Sequence, residues 1–585
     1  MSASKDEGNR LDLLLADADE RRPVLEEGLP GEVAQQGPKP KKATQQEKPD
    51  WRRDNKDQND LKEQGWGLVV PDGRAGDRLR EALTPLIRLR EEELGKPAEI
   101  YRVSPDMSAR AAADWTENVY WANDVPDEDR PLYLLMLGDL HETQAELQHS
   151  LANGALVGRI HFTNAKGETD LDGYAAYADK VVRYAREATT FITPDMAYFA
   201  ARDGTAATHT AEMKLVRPSF DASEQARVKG SLAAAKVRRI EAETVDELLA
   251  EGGGAAGARP SVLLSVTHGM GPPRRGWSPE EAQQRQGALI LDRDEVLDAE
   301  RLLGQRFLPG GMWFCLACYG GGTPSASAYY AWLSQLAAQG AWSGKAASVL
   351  NSLPKDGQRP FVAAMPQAAL RNPEGPLGVI GHLDLAWTYG FTGSKDLSES
   401  RSSRFTPTLH ALVDGARAGV ALGILLRSYR KTNDDLTSLY DGAARSDADS
   451  RSDPTDLTLR GHLWMLRNDL RGYVLLGDPA ARLPLKQHAL APKAREAQAA
   501  PAGIPELRGD SIGSKAASAP EGSAGPVKGG AGALISAIEK EKAVRAVLIG
   551  DEAPRTIAAR LGVPLEELWA WFDAYRAGGL ARLSE

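Results

Sequence analysis

The sequence predicts an α/β fold in which helices cover a mostly parallel central sheet, followed by a small all-α domain at the C-terminus. Short, continuous apolar runs are typical of strands that are buried on both faces. Amphipathic stretches separate these runs, as in other α/β proteins. The runs are LYLLML at 132–137, SVLLSV at 261–266, MWFCLA at 312–317, FVAAM at 361–365 and YVLLG at 473–477.

The stretches between the runs supply the helices. Apolar residues recur at helical spacing over 174–189, 294–304 and 326–340. The sequence GDP at 477–479 follows the last run and is typical of a turn after a strand. These elements together predict the main folded domain.

Composition shifts along the chain predict its domain organisation. Residues 1–64 are rich in Lys, Asp, Glu, Gln and Pro, which predicts a disordered, charged leader. We expect the main domain over 65–487, divided near residue 215 into an N-terminal and a catalytic subdomain. Residues 488–530, dominated by Ala, Pro, Gly and Ser, are typical of a flexible linker. Residues 531–585 regain helical spacing and predict three short helices.

Charge and cysteine content exclude several classes of protein. The formal net charge is -10 and no long Lys/Arg cluster is present, which argues against a protein that mainly binds nucleic acid. Two cysteines in 585 residues cannot build a disulfide framework. The sequence has neither the apolar core of a signal peptide nor a run near the roughly 20 residues of a membrane span. We therefore expect a cytoplasmic protein with reduced thiols and no membrane insertion.

A histidine and a cysteine each follow an apolar run and each precede glycine. His268 comes just after SVLLSV and is followed by Gly269, whereas Cys318 comes directly after MWFCLA and is followed by Tyr-Gly-Gly-Gly. If the two runs are neighbouring parallel strands, both side chains emerge at the sheet edge where α/β proteins bind ligands. A thiol beside an imidazole is a nucleophile with its base. The N–H groups of Gly269 and Cys318 are then candidates to bind an oxyanion.

Each residue also has a structural interpretation. A single histidine after a strand is more often hydrogen-bonded in the fold, and a single cysteine is usually a small buried apolar residue. The matching position of the two after strands, with glycine following both, favours the catalytic interpretation. Cys315 lies inside the same run as Cys318 without a following glycine, so we expect it in the core.

The order of apolar strand, His-Gly, spacer, apolar strand, Ala-Cys and glycine resembles the caspase-like clan of cysteine peptidases, which includes caspases, gingipains, clostripain and separase. It is most similar to bacterial gingipain-like and CHAT-type members. The stretches LVGRIHF, GVIGHLDLAWTYGF and YVLLGDPAARLPL extend the resemblance over roughly 66–487. The resemblance implies a caspase-hemoglobinase-type three-layer α/β sandwich.

The resemblance also implies an activity. It implies a cysteine endopeptidase that hydrolyses protein or peptide substrates through an acyl-enzyme, with no cofactor and no obligatory third catalytic residue. Carried across, Cys318 is the nucleophile, His268 the general acid/base and Gly269 an oxyanion donor. Members mostly require Asp, Arg, Lys or Asn before the cleaved bond, and this sequence does not indicate which. Gingipains are secreted, whereas for this chain we expect a role in regulated intracellular proteolysis. The Arg-rich insertion at 272–287 is either a lid or a solvated loop.

Other polar residues near predicted strand ends are candidate site residues. Asp139, His141 and Glu142 have the chemistry of metal ligands, but no second cluster lies at ligand spacing, so no metal site is predicted. We expect them to line the cleft instead. His382 and Asp384 either shape the pocket or form a hydrogen-bonded part of the core beside a packed tryptophan.

The C-terminal residues resemble the helix-turn-helix of transposase-type and regulator proteins. The last predicted helix begins PLEELW, with two glutamates where contacts to phosphate need cations, so DNA is disfavoured as a partner. A protein partner bound within 531–585 is the preferred interpretation, and a small self-contained core is the alternative. The residues concerned are Leu565, Leu568, Trp569 and Phe572. For the whole chain, the alternatives to a peptidase are a catalytically idle caspase-fold scaffold and a DNA-associated regulator.

Overall fold

The computed structural model describes residues 10–36 and 57–488 and part of the C-terminal region. Within the second range the gaps are 123–124, 128, 165, 188, 255–256, 341–344, 355–356 and 394–395. In the C-terminal region the described residues are 540, 543–544, 554–561, 563–565, 567–568 and 570–571. The chain divides into two compact units, 1–494 and 495–585.

The described part of the first unit alternates strands and helices along the chain. The strands are β1 (Arg10–Leu11), β2 (Leu15–Asp17), β3 (Leu29–Pro30), β4 (Trp66–Pro71), β5 (Glu99–Val103), β6 (Tyr133–Leu137), β7 (Leu156–Ile160), β8 (Asp195–Ala200), β9 (Lys236–Arg239), β10 (Ser261–Val266), β11 (His268–Gly271), β12 (Leu289–Asp292), β13 (Glu295–Leu297), β14 (Met312–Leu316), β15 (Gly322–Thr323), β16 (Phe361–Val362), β17 (Gly378–His382) and β18 (Tyr473–Gly477). The helices are α1 (Leu61–Gln64), α2 (Arg74–Ala82), α3 (Thr84–Leu94), α4 (Ala109–Trp115), α5 (Ala145–Leu151), α6 (Leu171–Arg186), α7 (Ala206–Ala211), α8 (Arg217–Val228), α9 (Val245–Gly253), α10 (Pro279–Arg285), α11 (Ala299–Leu302), α12 (Tyr330–Ala338), α13 (Lys345–Ser352), α14 (Ala364–Arg371), α15 (Thr406–Val413), α16 (Ala418–Ala448) and α17 (Leu457–Arg471).

A ten-stranded sheet forms the centre of this unit. Its order is β5-β4-β6-β7-β18-β17-β14-β10-β8-β9, and every neighbouring pair is parallel except β17 and β18. The strands β6, β10, β14 and β18 are buried along their whole length, which explains why they are continuous apolar runs. The predicted mixed α/β fold with a mostly parallel central sheet is confirmed.

The predicted helices are mostly found, with two differences. The stretch 174–189 lies largely in α6, and 326–340 contains α12. In contrast, 294–304 begins with β13, which pairs with β12, and only its second half is helical, after the Asp298 side chain caps α11. The run FVAAM is a strand only in β16, because Ala364 begins α14. Both differences involve short apolar stretches, in which periodicity does not separate strand from helix.

The predicted disordered leader is wrong for two of its parts. Residues 10–36 form short strands and a 3₁₀ helix at Gly31–Gln36, and α1 also lies inside the predicted leader. The leucines of LDLLLAD at 11–17 are completely buried. Their apolar area offsets the cost of ordering the backbone, whereas the composition of the whole stretch is dominated by its charged flanks. The remaining residues up to 64 lie outside the described part of the chain, apart from 57–60.

The GDP turn after β18 has a structural role. The carboxylate of Asp478 is completely buried, accepts a hydrogen bond from the indole N–H of Trp66 at 3.0 Å and forms an ion pair with Arg90 at 2.6 Å. Arg90 and Arg417 also hold Glu93, which lowers the pKa of that carboxyl to about 2. These buried ion pairs fasten the end of the central sheet to α3.

In the second unit the described residues include the helix α18 (Pro554–Leu561), where a helix is predicted. The buried apolar residues there are Ala543, Val544, Ile557, Ala558, Leu568 and Trp571. Leu565 packs against this cluster, and Trp569 and Phe572 lie outside the described residues. Two of the four residues considered for partner binding therefore contribute to a small core. Among the described helices of both units, none is long and apolar enough to cross a membrane.

Candidate active site

Strand register brings His268 and Cys318 to the same edge of the sheet. β10 and β14 are parallel neighbours, and their register ends with Val266 opposite Leu316. His268 and Cys318 each lie two residues beyond this last pair. The N–H group of Thr267 still donates to the carbonyl oxygen of Leu316 at 3.2 Å, which extends the pairing toward the site. Both side chains therefore emerge where the carboxyl ends of these strands meet.

The backbone at Gly269 lies against the backbone of Cys318. A Cβ atom at Gly269 would lie 1.8 Å from the carbonyl oxygen of Cys318 and 2.9 Å from its nitrogen. Only glycine permits this approach.

A sharp turn follows Cys318. Tyr319 has a φ of +56°, a left-handed conformation that is uncommon for a residue with a side chain. Its N–H group donates to the carbonyl oxygen of Asp384 at 3.0 Å, and the N–H of Gly320 donates to that of Ala317 at 3.2 Å. These two hydrogen bonds hold the strained turn and so fix the direction of the Cys318 N–H group.

The imidazole of His268 is oriented by residues that follow β8, the next strand of the sheet. Its Nε2 atom lies 2.9 Å from the hydroxyl of Thr205 and 3.3 Å from a carboxylate oxygen of Asp203. Its Nδ1 atom has no hydrogen-bond partner among the described residues. Burial lowers the pKa of His268 to about 4, and the carboxylate of Asp203 partly opposes this effect. The arrangement leaves Nδ1 available to exchange a proton.

Asp203 and Thr205 were not predicted from the sequence. They lie in RDGT, shortly after the apolar strand β8, so the signal was of the same kind as for His268 and Cys318: a polar residue and a glycine after an apolar run. The hydroxyl of Thr208 donates to Asp203 at 2.6 Å, and the N–H of Thr205 donates to it at 3.0 Å. Asp203 is therefore itself held in place.

The thiol of Cys318 is enclosed by backbone groups. It accepts a hydrogen bond from the N–H of Ala386 at 3.2 Å and lies 3.6 Å from the carbonyl oxygen of the same residue. Burial raises the pKa of Cys318 well above its usual range, and the backbone N–H of Ala386 partly opposes this. No hydrogen bond joins the thiol to His268 among the described contacts. In this state the thiol and the imidazole are both neutral.

The carbonyl oxygen of Leu14 lies where the backbones of His268–Gly271 and Cys318 approach each other. It accepts hydrogen bonds from the N–H of Gly269 at 2.9 Å and from the N–H of Cys318 at 3.4 Å. These are the two groups that the sequence indicates as candidates to bind an oxyanion. A peptide carbonyl thus occupies that position.

The second cysteine, Cys315, is completely buried inside β14, opposite Ser265 of β10. Burial raises its pKa to about 12. Its position agrees with the expectation of a core residue.

The group of Asp139, His141 and Glu142 lies near the turn that follows Cys318. Asp139 accepts a hydrogen bond from the N–H of Val362 at 2.7 Å, and Val362 pairs with Gly322 in the β15–β16 ribbon. The next residue, Leu140, also lies against Gly322, where a Cβ atom would be 3.2 Å from its side chain. Asp139 lies 3.6 Å from His141, and a role of this group in lining the cleft stays a prediction. No group of metal-binding residues is found among the residues that the structure describes.

His382 and Asp384 lie close to the thiol but have structural partners. The two ring nitrogens of His382 are each 2.9 Å from a backbone carbonyl oxygen, those of Asp384 and Asp469. The ring is completely buried, and burial lowers its pKa to about 4. The carboxylate of Asp384 accepts the N–H groups of Ala328 and Leu385, while burial raises its pKa to about 6. Of the two alternatives left open for this pair, the contacts favour the hydrogen-bonded core.

Asp469, at the end of α17, is a further buried carboxyl near the site that was not predicted. One oxygen accepts the N–H of Trp387 at 2.9 Å, and the other has no partner among the described residues. Burial raises its pKa to about 8. It therefore keeps its proton at neutral pH.

Comparison with solved structures finds distant likenesses. The structure of the Arg-specific cysteine proteinase gingipain R matches with a TM-score of 0.40 and 12% identity, covering 72% of this chain and 78% of that chain. A complex of Porphyromonas gingivalis RgpB pro- and mature domains matches with a TM-score of 0.40 and 10% identity, covering 72% and 79%. No family model and no curated protein matches the sequence. The chemistry assigned below rests on the geometry of the site.

Proposed function

We propose that this chain is a cysteine endopeptidase in which Cys318 is the nucleophile and His268 the general acid/base. One observation carries the proposal: two backbone N–H groups, of Gly269 and Cys318, converge on a peptide carbonyl beside the thiol. Convergent N–H donors of this kind stabilise the oxyanion that forms when a nucleophile attacks a carbonyl carbon. The imidazole at the same edge supplies the base that a thiol needs.

The reaction follows from these positions. Nδ1 of His268 takes the thiol proton as Sγ of Cys318 attacks the carbonyl carbon, and the N–H groups of Gly269 and Cys318 bind the resulting oxyanion. His268 then donates the proton to the departing amine, which leaves an acyl group on Cys318. A water molecule, deprotonated by His268, attacks this thioester and releases the acid and the thiol.

Asp203 and Thr205 have a positioning role in this scheme. Their contacts to Nε2 of His268 fix the ring so that Nδ1 faces away from them. The Asp203 carboxylate also favours the imidazolium that forms during attack, because an opposite charge nearby stabilises the charged form.

The test uses the two cysteines as a matched pair. Full-length wild type, Cys318→Ala and Cys315→Ala are incubated with fluorogenic peptides that end in Leu, Arg, Lys, Asp or Asn. We expect Cys318→Ala to lower kcat/KM on the order of 10⁴-fold or more, whereas Cys315→Ala retains activity. An equal rate for wild type and Cys318→Ala would contradict the proposal and favour an idle scaffold.

A further inference from the structure

The N-terminal residues 12–17 pass through the candidate active site as an extended strand. On the N-terminal side of Leu14 this strand runs antiparallel to 386–388, with Leu13 opposite Trp387. On its C-terminal side, β2 runs parallel to β11, with Leu15 opposite Gly269. The segment is therefore paired on both sides of the Leu14–Leu15 peptide bond.

Backbone hydrogen bonds define the position of the segment in detail. The N–H of Leu14 donates to the carbonyl oxygen of Ala386 at 3.4 Å, and the N–H of Thr388 donates to that of Asp12 at 3.2 Å. The N–H of Asp12 in turn donates to the hydroxyl of Thr388 at 3.2 Å. Such main-chain pairing binds a peptide largely independently of its side chains.

The Leu14 carbonyl is placed as a substrate carbonyl would be. It accepts hydrogen bonds from both N–H groups of the candidate oxyanion site. One of these N–H groups belongs to Cys318, the residue that carries the thiol. The bond that follows this carbonyl joins Leu14 to Leu15. The geometry thus selects one peptide bond of the chain as the bond at the reacting position.

Side-chain burial indicates which residue the pocket accepts before that bond. The side chain of Leu14 is completely buried and belongs to the main apolar cluster of the unit. A charged side chain at this position would have to be desolvated without a partner, which is strongly unfavourable. Two residues earlier, the carboxylate of Asp12 accepts a hydrogen bond from Thr210 at 3.1 Å. The cleft therefore favours an apolar residue before the cleaved bond. The family that the sequence resembles mostly requires Asp, Arg, Lys or Asn at this position.

We infer that the cleft binds extended peptides with leucine before the cleaved bond, and that residues 12–17 are its resident substrate, cut between Leu14 and Leu15. This inference rests on the proposed function. The reaction transfers the Leu14 acyl group to the thiol of Cys318 and gives the amino group of Leu15 the proton carried by His268. Water then releases the carboxylate of Leu14, so the net change is hydrolysis of one peptide bond.

The first measurement is the intact mass and the N-terminal peptide map of full-length wild type and Cys318→Ala during incubation. We expect the wild type to lose residues 1–14 and gain a new N-terminus at Leu15, while Cys318→Ala stays intact. In the fluorogenic panel, we expect the peptide that ends in Leu to be cleaved fastest.

A substitution at Leu14 tests whether residues 12–17 are a substrate or only a structural strand. Leu14→Asp is expected to slow self-cleavage on the order of 100-fold, because the apolar pocket rejects the charge. The same variant should cleave a Leu-ending peptide roughly tenfold faster, in initial rate, than wild type whose residues 12–17 are still uncut and compete for the cleft. If Leu14→Asp does not fold, Leu14→Met and the free peptide RLDLLLADAD, which copies residues 10–19, replace it. Both should still be cut at the bond that corresponds to Leu14–Leu15.

Failure of the inference can be told from failure of the proposed function. If the wild type cleaves peptides that end in Arg, Lys, Asp or Asn but leaves its own Leu14–Leu15 bond and RLDLLLADAD intact, the inference is wrong and the proposed function stands. If the wild type cleaves no peptide and not itself, both are wrong.

Discussion

The imidazole of His268 and the thiol of Cys318 are both completely buried, and burial disfavours the charged form of each. The pKa of the histidine is lowered to about 4, and that of the cysteine is raised well above its usual range. At neutral pH the pair is therefore an uncharged thiol beside an uncharged base. In the proposed mechanism, the thiolate therefore forms only as His268 takes the proton, so activation of the nucleophile depends on the arrival of a carbonyl at the Gly269 and Cys318 N–H groups.

Asp469 shows how much a buried carboxyl near the site costs in stability. Its pKa is about 8 in the folded chain against an ordinary value of 3.8. As the pH rises from about 4 to about 8, the unfolded chain loses this proton and the folded chain keeps it. The folded state is therefore destabilised progressively over this range, and the stability present at low pH is lost.

We expect Asp469→Asn to remove this pH dependence. The asparagine oxygen can still accept the N–H of Trp387, and the amide carries no charge at any of these pH values. Relative to wild type, the free energy of unfolding should rise between pH 4 and pH 8 by an amount on the order of 5 kcal/mol. Urea unfolding of both proteins at pH 5, 6.5 and 8 measures this difference, and curves that stay parallel at all three would contradict it.

At the scale of elements, the site is made by two strand ends and the turns that follow them. β10 and β14 are aligned so that His268 and Cys318 lie at equal distances beyond their last pair. The turn after β14 includes Tyr319, which has a left-handed backbone conformation. The start of β11 packs against this turn, with Gly269 in contact with the backbone of Cys318. The positions of the two candidate oxyanion donors are thus set by the packing of the backbone.

Gly269→Ala is expected to disrupt both the fold and the activity. The new methyl group would collide with the carbonyl oxygen of Cys318, so one of the two backbones must move. We expect the N–H groups of Gly269 and Cys318 to separate and kcat/KM to fall on the order of 100-fold or more, with a lower Tm. The matched control is Gly442→Ala in α16, where a Cβ meets no atom within 4 Å. There, thermal unfolding should show an unchanged or slightly higher Tm because alanine favours helix by about 1 kcal/mol; equal losses in both variants would contradict this interpretation of Gly269.

At the scale of the whole molecule, the direction of the sheet decides which strand ends can contribute to the site. The strands β8, β10 and β14 are parallel neighbours, so their carboxyl ends meet at one edge of the sheet. This edge carries Asp203, His268 and Cys318. The first unit supplies all strands of this sheet, from β4 to β18.

We therefore expect a chain of residues 1–494 to fold and to act as a peptidase. The ten strands of its central sheet and its main apolar cluster lie within that length. Thermal unfolding should show one cooperative transition, and kcat/KM should lie within about twofold of the full-length value, since the residues of the site described above all come before residue 494. A chain that ends at residue 470 lacks β18, which lies between β7 and β17, and should not fold. An unfolded or inactive 1–494 chain would show that the second unit is needed.

The sequence by itself determined the elements whose signals are local. Continuous apolar runs identified the buried strands, and His-Gly and Cys-Tyr-Gly after two of them identified His268, Cys318 and the oxyanion donors as candidates. These predictions depend on side-chain burial within a few residues, which leaves a direct pattern in the sequence. The prediction of disorder from composition was wrong for residues 10–36, because the composition of the whole stretch averages a short leucine-rich run with its charged flanks.

Only the tertiary structure decided which strand ends share an edge and what fills the cleft between them. The end of β8 adds Asp203 beside His268 although more than sixty residues separate them in the sequence. The pairing of residues 12–17 with β11 and with 386–388 joins positions that lie hundreds of residues apart. Such pairings depend on which backbone groups remain unpaired once the sheet has formed, and local periodicity carries no record of them.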